Sequence, residues 1–276
     1  MAERVLTRTQ VVLKQQERQR FLFGIQVVVW WVIILVLLVF AFSGIKLNLG
    51  PILIKTIRLD IEFMKTWAPF ISKGVPQTLF IAVISIFFAS LLALLSALGR
   101  LSGIPPLVAV SGFYVSLIRG TPLYLQIFFF FLALPQIGIK LSGPVAGIAA
   151  LSLNYGAYMS EIFRAGISSV SKGQREAAIA LGMTNSQMMR RIVLPQALRL
   201  VVPPTGNEFI AMLKDSALVS ATGFVQEIMW RAVKVGRANF RGLEALVIAA
   251  LWYWMMTIIF TALQTRLERH MSRGER

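Results

Sequence analysis

"EAAIALGMTNSQMMRRIVLPQ", residues Glu176 to Gln196, is the stretch on which the fold turns. It leans polar in a chain that is otherwise strongly apolar. A connection between two buried segments needs only a few residues, so a run of this length asks for a purpose. "QREAAIAL" consists of strong helix formers, and Gly182 is a natural helix stop. A second helical stretch over Ser186–Val193 follows, and Pro195 is expected to close it before the next apolar segment. The pattern predicts a short helix lying across one face of a larger body, offering Glu176 and the small Ala177 and Ala178 to something outside the chain.

Composition says what that body is. Of 276 residues, 57% are hydrophobic and 14% charged, with a mean hydropathy of +0.71. Soluble domains carry about 45–50% apolar and about 25% charged residues. The net charge of +16 would suit nucleic acid only on a soluble surface, and there is hardly any soluble chain to display it. Basic loops on the cytoplasmic side of a membrane account for it instead. The chain has no cysteine and one histidine, His270, which excludes thiolate metal sites and a histidine-based catalytic centre. No G-x-x-x-x-G-K-[ST] occurs, so no P-loop is present. The chain is not an enzyme on this reading, and it carries no metal or cofactor of its own.

A spanning helix needs about 20 mostly apolar residues. Six segments are read as spans: 21–42, 78–98, 121–135, 143–163, 196–213 and 243–263. The stretch 104–118, "IPPLVAVSGFYVSLI", is read as an interfacial segment. The apolar run at 21–42 is too long for the roughly 7–15 residues of a signal-peptide core and is read as a retained span. Six spans place both termini on one side. Most Lys and Arg then fall inside, although the 46–73 and 231–241 clusters lie outside. The expected topology is N-in and C-in. It gives a tail at 1–20, an additional span at 21–42, a periplasmic segment at 43–77, a core at 78–266 with its loop at 172–195, and a tail at 267–276.

The spacing Glu-Ala-Ala, three residues, Gly182, nine residues, Ile192-x-Leu194-Pro195 resembles the signature loop of ABC importer membrane subunits. "YVSLIRGTPLYLQIFFFFLALP" (Tyr114–Pro135), "LNYGAYMSEIFRAGISSVSKGQREAAIALGM" and "LPQALRLVVPPTGNEFIAMLKDSALVS" are similar to the histidine, glutamine and arginine permease branch. The resemblance runs from Thr78 to Arg266; "KDSAL" stands where the family usually has "KDTSL". It implies an all-α integral membrane protein with the type I importer fold, in the inner membrane. It also implies a second permease subunit, identical or homologous, and a cytosolic ATPase dimer holding ATP and Mg. An extracytoplasmic amino acid binding protein completes the assembly. Gly173, Glu176, Ala177, Ala178, Leu181, Gly182 and Pro195 would form the ATPase-coupling loop.

Polar residues inside a span are costly and therefore candidates for a transport path. Asn154, Tyr158 and Glu161, at i, i+4 and i+7, share a helical face. Glu161 is a candidate for attracting a cationic group; pairing with Arg164 is the competing reading. In the next span Asn207, Glu208 and Met212 are path candidates, and Lys214 and Asp215 are expected to gate or cap its outer end. Pro203 and Pro204 are expected to break this helix. The rival function is a stand-alone secondary transporter or channel for a small polar solute, which an interrupted span suits equally. Such a protein has no need of a docking helix.

Overall fold

The computed structural model describes residues 8–49 and 52–272; the ends of both expected tails, residues 1–7 and 273–276, lie outside these. The chain forms two compact units, one ending at Ile61 and the other beginning at Glu62. In the first, helix α1 (Arg8–Ala41) contains the 27-residue apolar span Gln15–Ala41. From residue 15 to residue 39 its side chains are exposed on every side, as expected of a helix whose solvent is lipid. Strands β1 (Lys46–Leu49) and β2 (Ile52–Lys55) follow as an antiparallel hairpin with Lys46 opposite Lys55 and Leu49 opposite Ile52. This two-stranded hairpin is a local departure from the all-α expectation, which the rest of the described residues follow.

The second unit is helical. It begins with α2 (Ile61–Ser72), earlier than the expected boundary at residue 78. Helices α3 (Val75–Leu101) and α6 (Gly143–Ser168) are its central pair. Ala82, Ala89, Ala93 and Ala97 are fully buried along one stripe of α3, facing Ala146, Ala150 and Ala157 of α6. Small side chains let two backbones approach closely, which replaces the hydrophobic drive that lipid does not supply. Gly156 shows how close: a Cβ there would lie 2.7 Å from the Tyr114 hydroxyl and 3.0 Å from Leu92 Cβ. Ser152 spans the pair by donating to the Ser85 carbonyl at 3.3 Å.

Between them lie α4 (Pro105–Arg119) and α5 (Leu123–Phe128), the latter continuing through a π turn at Phe129–Ala133 into a 3-10 turn at Leu134–Ile137. The interfacial stretch 104–118 is thus a full helix, bent by 104° from the one after it. After α6 come α7 (Lys172–Ala180), α8 (Asn185–Met188), a π turn, and α9 (Leu194–Asp215). A 3-10 segment at Ser216–Thr222, then α10 (Ile228–Ala238) and α11 (Gly242–Ser272), complete the unit.

Two proline expectations are overturned. Pro195 does not close a helix; it sits in the first turn of α9, where a missing N–H costs nothing. Pro203 and Pro204 do not break α9, which runs through both. The carbonyl of Pro203 accepts a 3.0 Å hydrogen bond from Gln264 of α11, and Thr205 Oγ1 donates to the Val201 carbonyl at 2.9 Å. Side chains thus bond the backbone of the proline turn. By length and apolarity three helical segments qualify as spans among the described residues, or four if the bent α4–α5 pair counts as one. α6 and α9, at 26 and 22 residues, have the length, but they carry the polar residues of the site.

Glu227 anchors the α10–α11 end of the unit. Fully buried, it caps α10 by accepting from the Met229 and Trp230 amides at 2.8 and 2.6 Å, and it accepts from the Tyr253 hydroxyl at 2.6 Å. Burial pushes its carboxyl from 4.5 up to about 7, against the pull of those bonds. The folded state therefore binds a proton more tightly than the unfolded chain, and its stability falls as pH rises from about 4.5 through about 7. The melting temperature of the wild type should therefore fall relative to that of Glu227→Gln as pH rises across that window, and the difference should stay constant on either side of it. A difference independent of pH would show that Glu227 does not titrate there.

Candidate functional site

The bend between α4 and α5 forms one wall of a cavity of about 530 Å³, lined by Arg119, Gly120, Thr121, Pro122, Leu123, Asn154, Tyr155, Tyr158, Glu208 and Asp215. That volume falls among those typical of small-molecule sites, about 300–1,000 Å³. Gly-Thr-Pro makes the bend, since the residue before a proline is driven out of the helical region. The amide of Gln126 then holds it. Its nitrogen donates to the Ile118 carbonyl (2.9 Å), the Thr121 carbonyl (3.2 Å) and Thr121 Oγ1 (2.9 Å), while its oxygen accepts from Asn154 Nδ2 at 3.1 Å. One side chain thereby joins α4, the bend and α6.

The walls differ in charge. From α9, Glu208 and Asp215 stand seven residues apart on one face, and Tyr155 donates its hydroxyl to Asp215 Oδ2 at 2.8 Å. From the α4 end, the Arg119 guanidinium lies over the Tyr158 ring, 5.0 Å from its centroid. Carboxylates on one side and a guanidinium on the other suit a ligand carrying both signs.

Of the path candidates, Asn154, Tyr158 and Glu208 meet in this cavity. Asp215 joins them in the lining rather than only ending the span. Met212 does not: it is fully buried in the apolar core with Ile127, Met159 and Val219. Asn207 and Lys214 are exposed and outside the lining. Glu161 is also outside it. Its carboxylate is held by Arg100 of α3 and by Arg164, whose Nε and Nη2 lie at 3.0 and 2.9 Å. Sequence reasoning assigned no role to Arg119, Thr121, Gln126 or Tyr155. The signal for the first two was the breaker pair Gly120 and Pro122 inside an apolar run, which marks irregular backbone at a cavity.

A second surface lies on α7. Ser171 caps it, accepting from the Gln174 amide at 3.4 Å. Gly182 ends it with φ +73, the Met183 amide donating back to the Ala178 carbonyl at 3.0 Å. Gly173, Glu176 and Ala177 are exposed on one face, and Leu181 is 82% exposed. Ala178 corrects the expectation that both alanines face outward: it is buried against Ile167, Val170, Met188, Val193 and Ala197. Each residue turns an α-helix by about 100°, so Ala178 reaches the packed side while Glu176 and Ala177 stay on the open one. Arg175 donates to the Ile167 carbonyl of α6, and Gln196 of α9 donates to Gln174 at 2.8 Å, so α7 is tied to both long helices.

Broken and intact helices around a two-signed cavity, with a short amphipathic helix tied beneath, define a membrane permease component. The chain belongs to the family of binding-protein-dependent transport system inner membrane components, whose model matches residues 89–273. It is 38% identical to the arginine transport system permease protein ArtQ of Bacillus subtilis over 79% of this chain and all of that one. Identity to the L-cystine transport system permease protein TcyB of the same organism is 39%, over 78% of this chain and 91% of that protein. A crystallised amino acid ABC transporter with histidines superposes with a TM-score of 0.72 at 37% identity, over 78% of this chain and all of the other. The protein is thus a multi-pass inner membrane permease subunit of an ABC transporter, and ATP hydrolysis resides in a partner subunit.

The two alanines give a direct contrast. Ala178→Leu overpacks the α7 core and should cost about 1–3 kcal/mol, read as a lower melting temperature of the purified subunit. Ala177→Leu, on the open face, should leave melting unchanged. Equal effects would contradict the packing described.

Proposed function

We propose that this permease carries a polar or cationic amino acid inward through the Arg119–Asp215 cavity, received from an extracytoplasmic binding protein and driven by an ATPase dimer docked on α7. The observation that carries the reading is the pairing of opposite charges across one cavity, because an amino acid is a zwitterion. Arg119 would take the carboxylate; Glu208 and Asp215 would take the α-ammonium or a cationic side chain. The names of the relatives, arginine and cystine permeases among them, support the substrate class. A second permease subunit, the same chain or a homologue, would complete the path. Six spans with both termini in the cytoplasm put α7 on the ATPase side, where ATP and Mg would be held by the partner.

On α7, Gly173, Glu176 and Ala177 would meet the ATPase. Leu181 and Gly182 would shape the turn beside them, and Pro195 would start the helix that carries the displacement to the cavity. In proteoliposomes containing the complete transporter, Glu208→Gln and Asp215→Asn should each raise the KM for L-arginine by about tenfold or more, the worth of a charge-assisted hydrogen bond. The KM for L-glutamine should rise less. Unchanged KM values in both variants would remove the cavity from the path. A reporter fused after Arg276 should be active only if it is a cytosolic enzyme; activity of a periplasmic enzyme there would reverse the topology.

A further inference from the structure

Glu161 faces three guanidiniums but bonds only two of them. Its Oε1 accepts from Arg100 and its Oε2 from Arg164, while Arg119 Nη1 stands 3.9 Å from Oε1. That last distance is an ion-pair distance but too long for a hydrogen bond. Three guanidiniums around one carboxylate also repel one another, so the third is held least firmly. Arg119 is that third one. Its other contacts are the face of Tyr158 at 5.0 Å and the cavity that it lines, and 43% of its side chain is open.

We propose that Glu161 is the resting counter-ion of Arg119 and competes with the substrate's carboxylate for it. This rests on the cavity being the substrate site. When an amino acid enters, Arg119 passes from Glu161 to the incoming carboxylate. Glu161 loses little, because Arg100 and Arg164 still satisfy both of its oxygens, and the repulsion within the arginine cluster falls. The site thereby keeps Arg119 in place when empty without a strong bond that the substrate must break. Glu161 is a positioning residue acting through Arg119, and it lowers affinity rather than raising it.

The sign of that effect makes the idea testable. Removing a direct substrate ligand weakens binding; removing a competitor tightens it. The experiment measures equilibrium binding of L-arginine, L-histidine and L-glutamine to the purified complete transporter, and of agmatine, which is arginine without its carboxylate. Glu161→Gln should lower the Kd of the tightest-binding amino acid by about two- to fivefold, the worth of a partly exposed ion pair. It should leave agmatine unchanged. Arg164→Gln, which leaves Glu161 freer to hold Arg119, should weaken amino acid binding by a similar factor. Glu161→Asp keeps the charge but withdraws it from Arg119, and should tighten binding in case the glutamine variant does not fold.

In an Arg119→Gln background the Glu161 substitutions should have no further effect on affinity. Weaker or unchanged amino acid binding in the Glu161 variants, or an equal change for agmatine, overturns the proposal. Wild-type affinity in Arg119→Gln alone, or no binding of any probe to the wild type, instead overturns the reading of the cavity on which it rests.

Discussion

A bent helix pair frees backbone groups at its break, and the arrangement of the bend follows from how those groups are answered. The amide of Gln126 answers two of them, the Ile118 and Thr121 carbonyls, and it also contacts the Thr121 hydroxyl and accepts from Asn154, while Thr121 Oγ1 donates to the Leu117 carbonyl. Because the same amide reaches α6, the bend is fixed relative to the central helix pair. Arg119, one residue before Gly120, therefore stands at a set height above Tyr158. A leucine at 126 would fill the same space without these bonds, a cost of about 1–3 kcal/mol for each buried group left unpaired. Side chains in this protein do for a broken backbone what solvent does elsewhere.

The second governing term is charge. The site holds its two carboxylates on α9 and its guanidinium on α4, with α6 between them supplying Asn154, Tyr155 and Tyr158. The Tyr155 hydroxyl occupies one oxygen of Asp215, which orients that carboxylate while leaving the other oxygen to face the cavity. The excess arginines lie just outside, gathered on Glu161.

Helical periodicity made part of this legible from the sequence. Asn154 and Tyr158 were placed together by their i, i+4 spacing, and Glu208 by being an ionisable group inside a span. Gly182 was readable because a stop after "EAAIAL" needs a residue tolerant of positive φ, and it has φ +73. Periodicity failed where tertiary contacts override local preference. Two consecutive prolines argue for a break; neither their neighbours nor spacing reveals that Gln264, some sixty positions on, donates to the Pro203 carbonyl. Ala178 looked like its neighbour Ala177, and only the packing of Met188 and Val193 separates them. The span count suffered from the same mixture of signals. The stretches 143–163 and 196–213 read as spans from their length, although the polar side chains that line the site lower the apolarity of α6 and α9.

The two hydrogen bonds that hold α7, from Arg175 to α6 and from Gln196 on α9, give that helix the properties of a linkage with almost no play. A link pinned at one end swings and wastes its stroke. Pinned to two long helices, and seated on the apolar cluster around Ala178, α7 cannot rotate about its own axis without breaking a bond or opening a void. Any displacement imposed on its open face is then divided between α6 and α9 with little loss to bending. Those are the two helices that carry Tyr158 on one side of the cavity and Glu208 and Asp215 on the other. If an ATPase docks on α7 as proposed, stroke delivered at the loop would become a change in the gap between those walls.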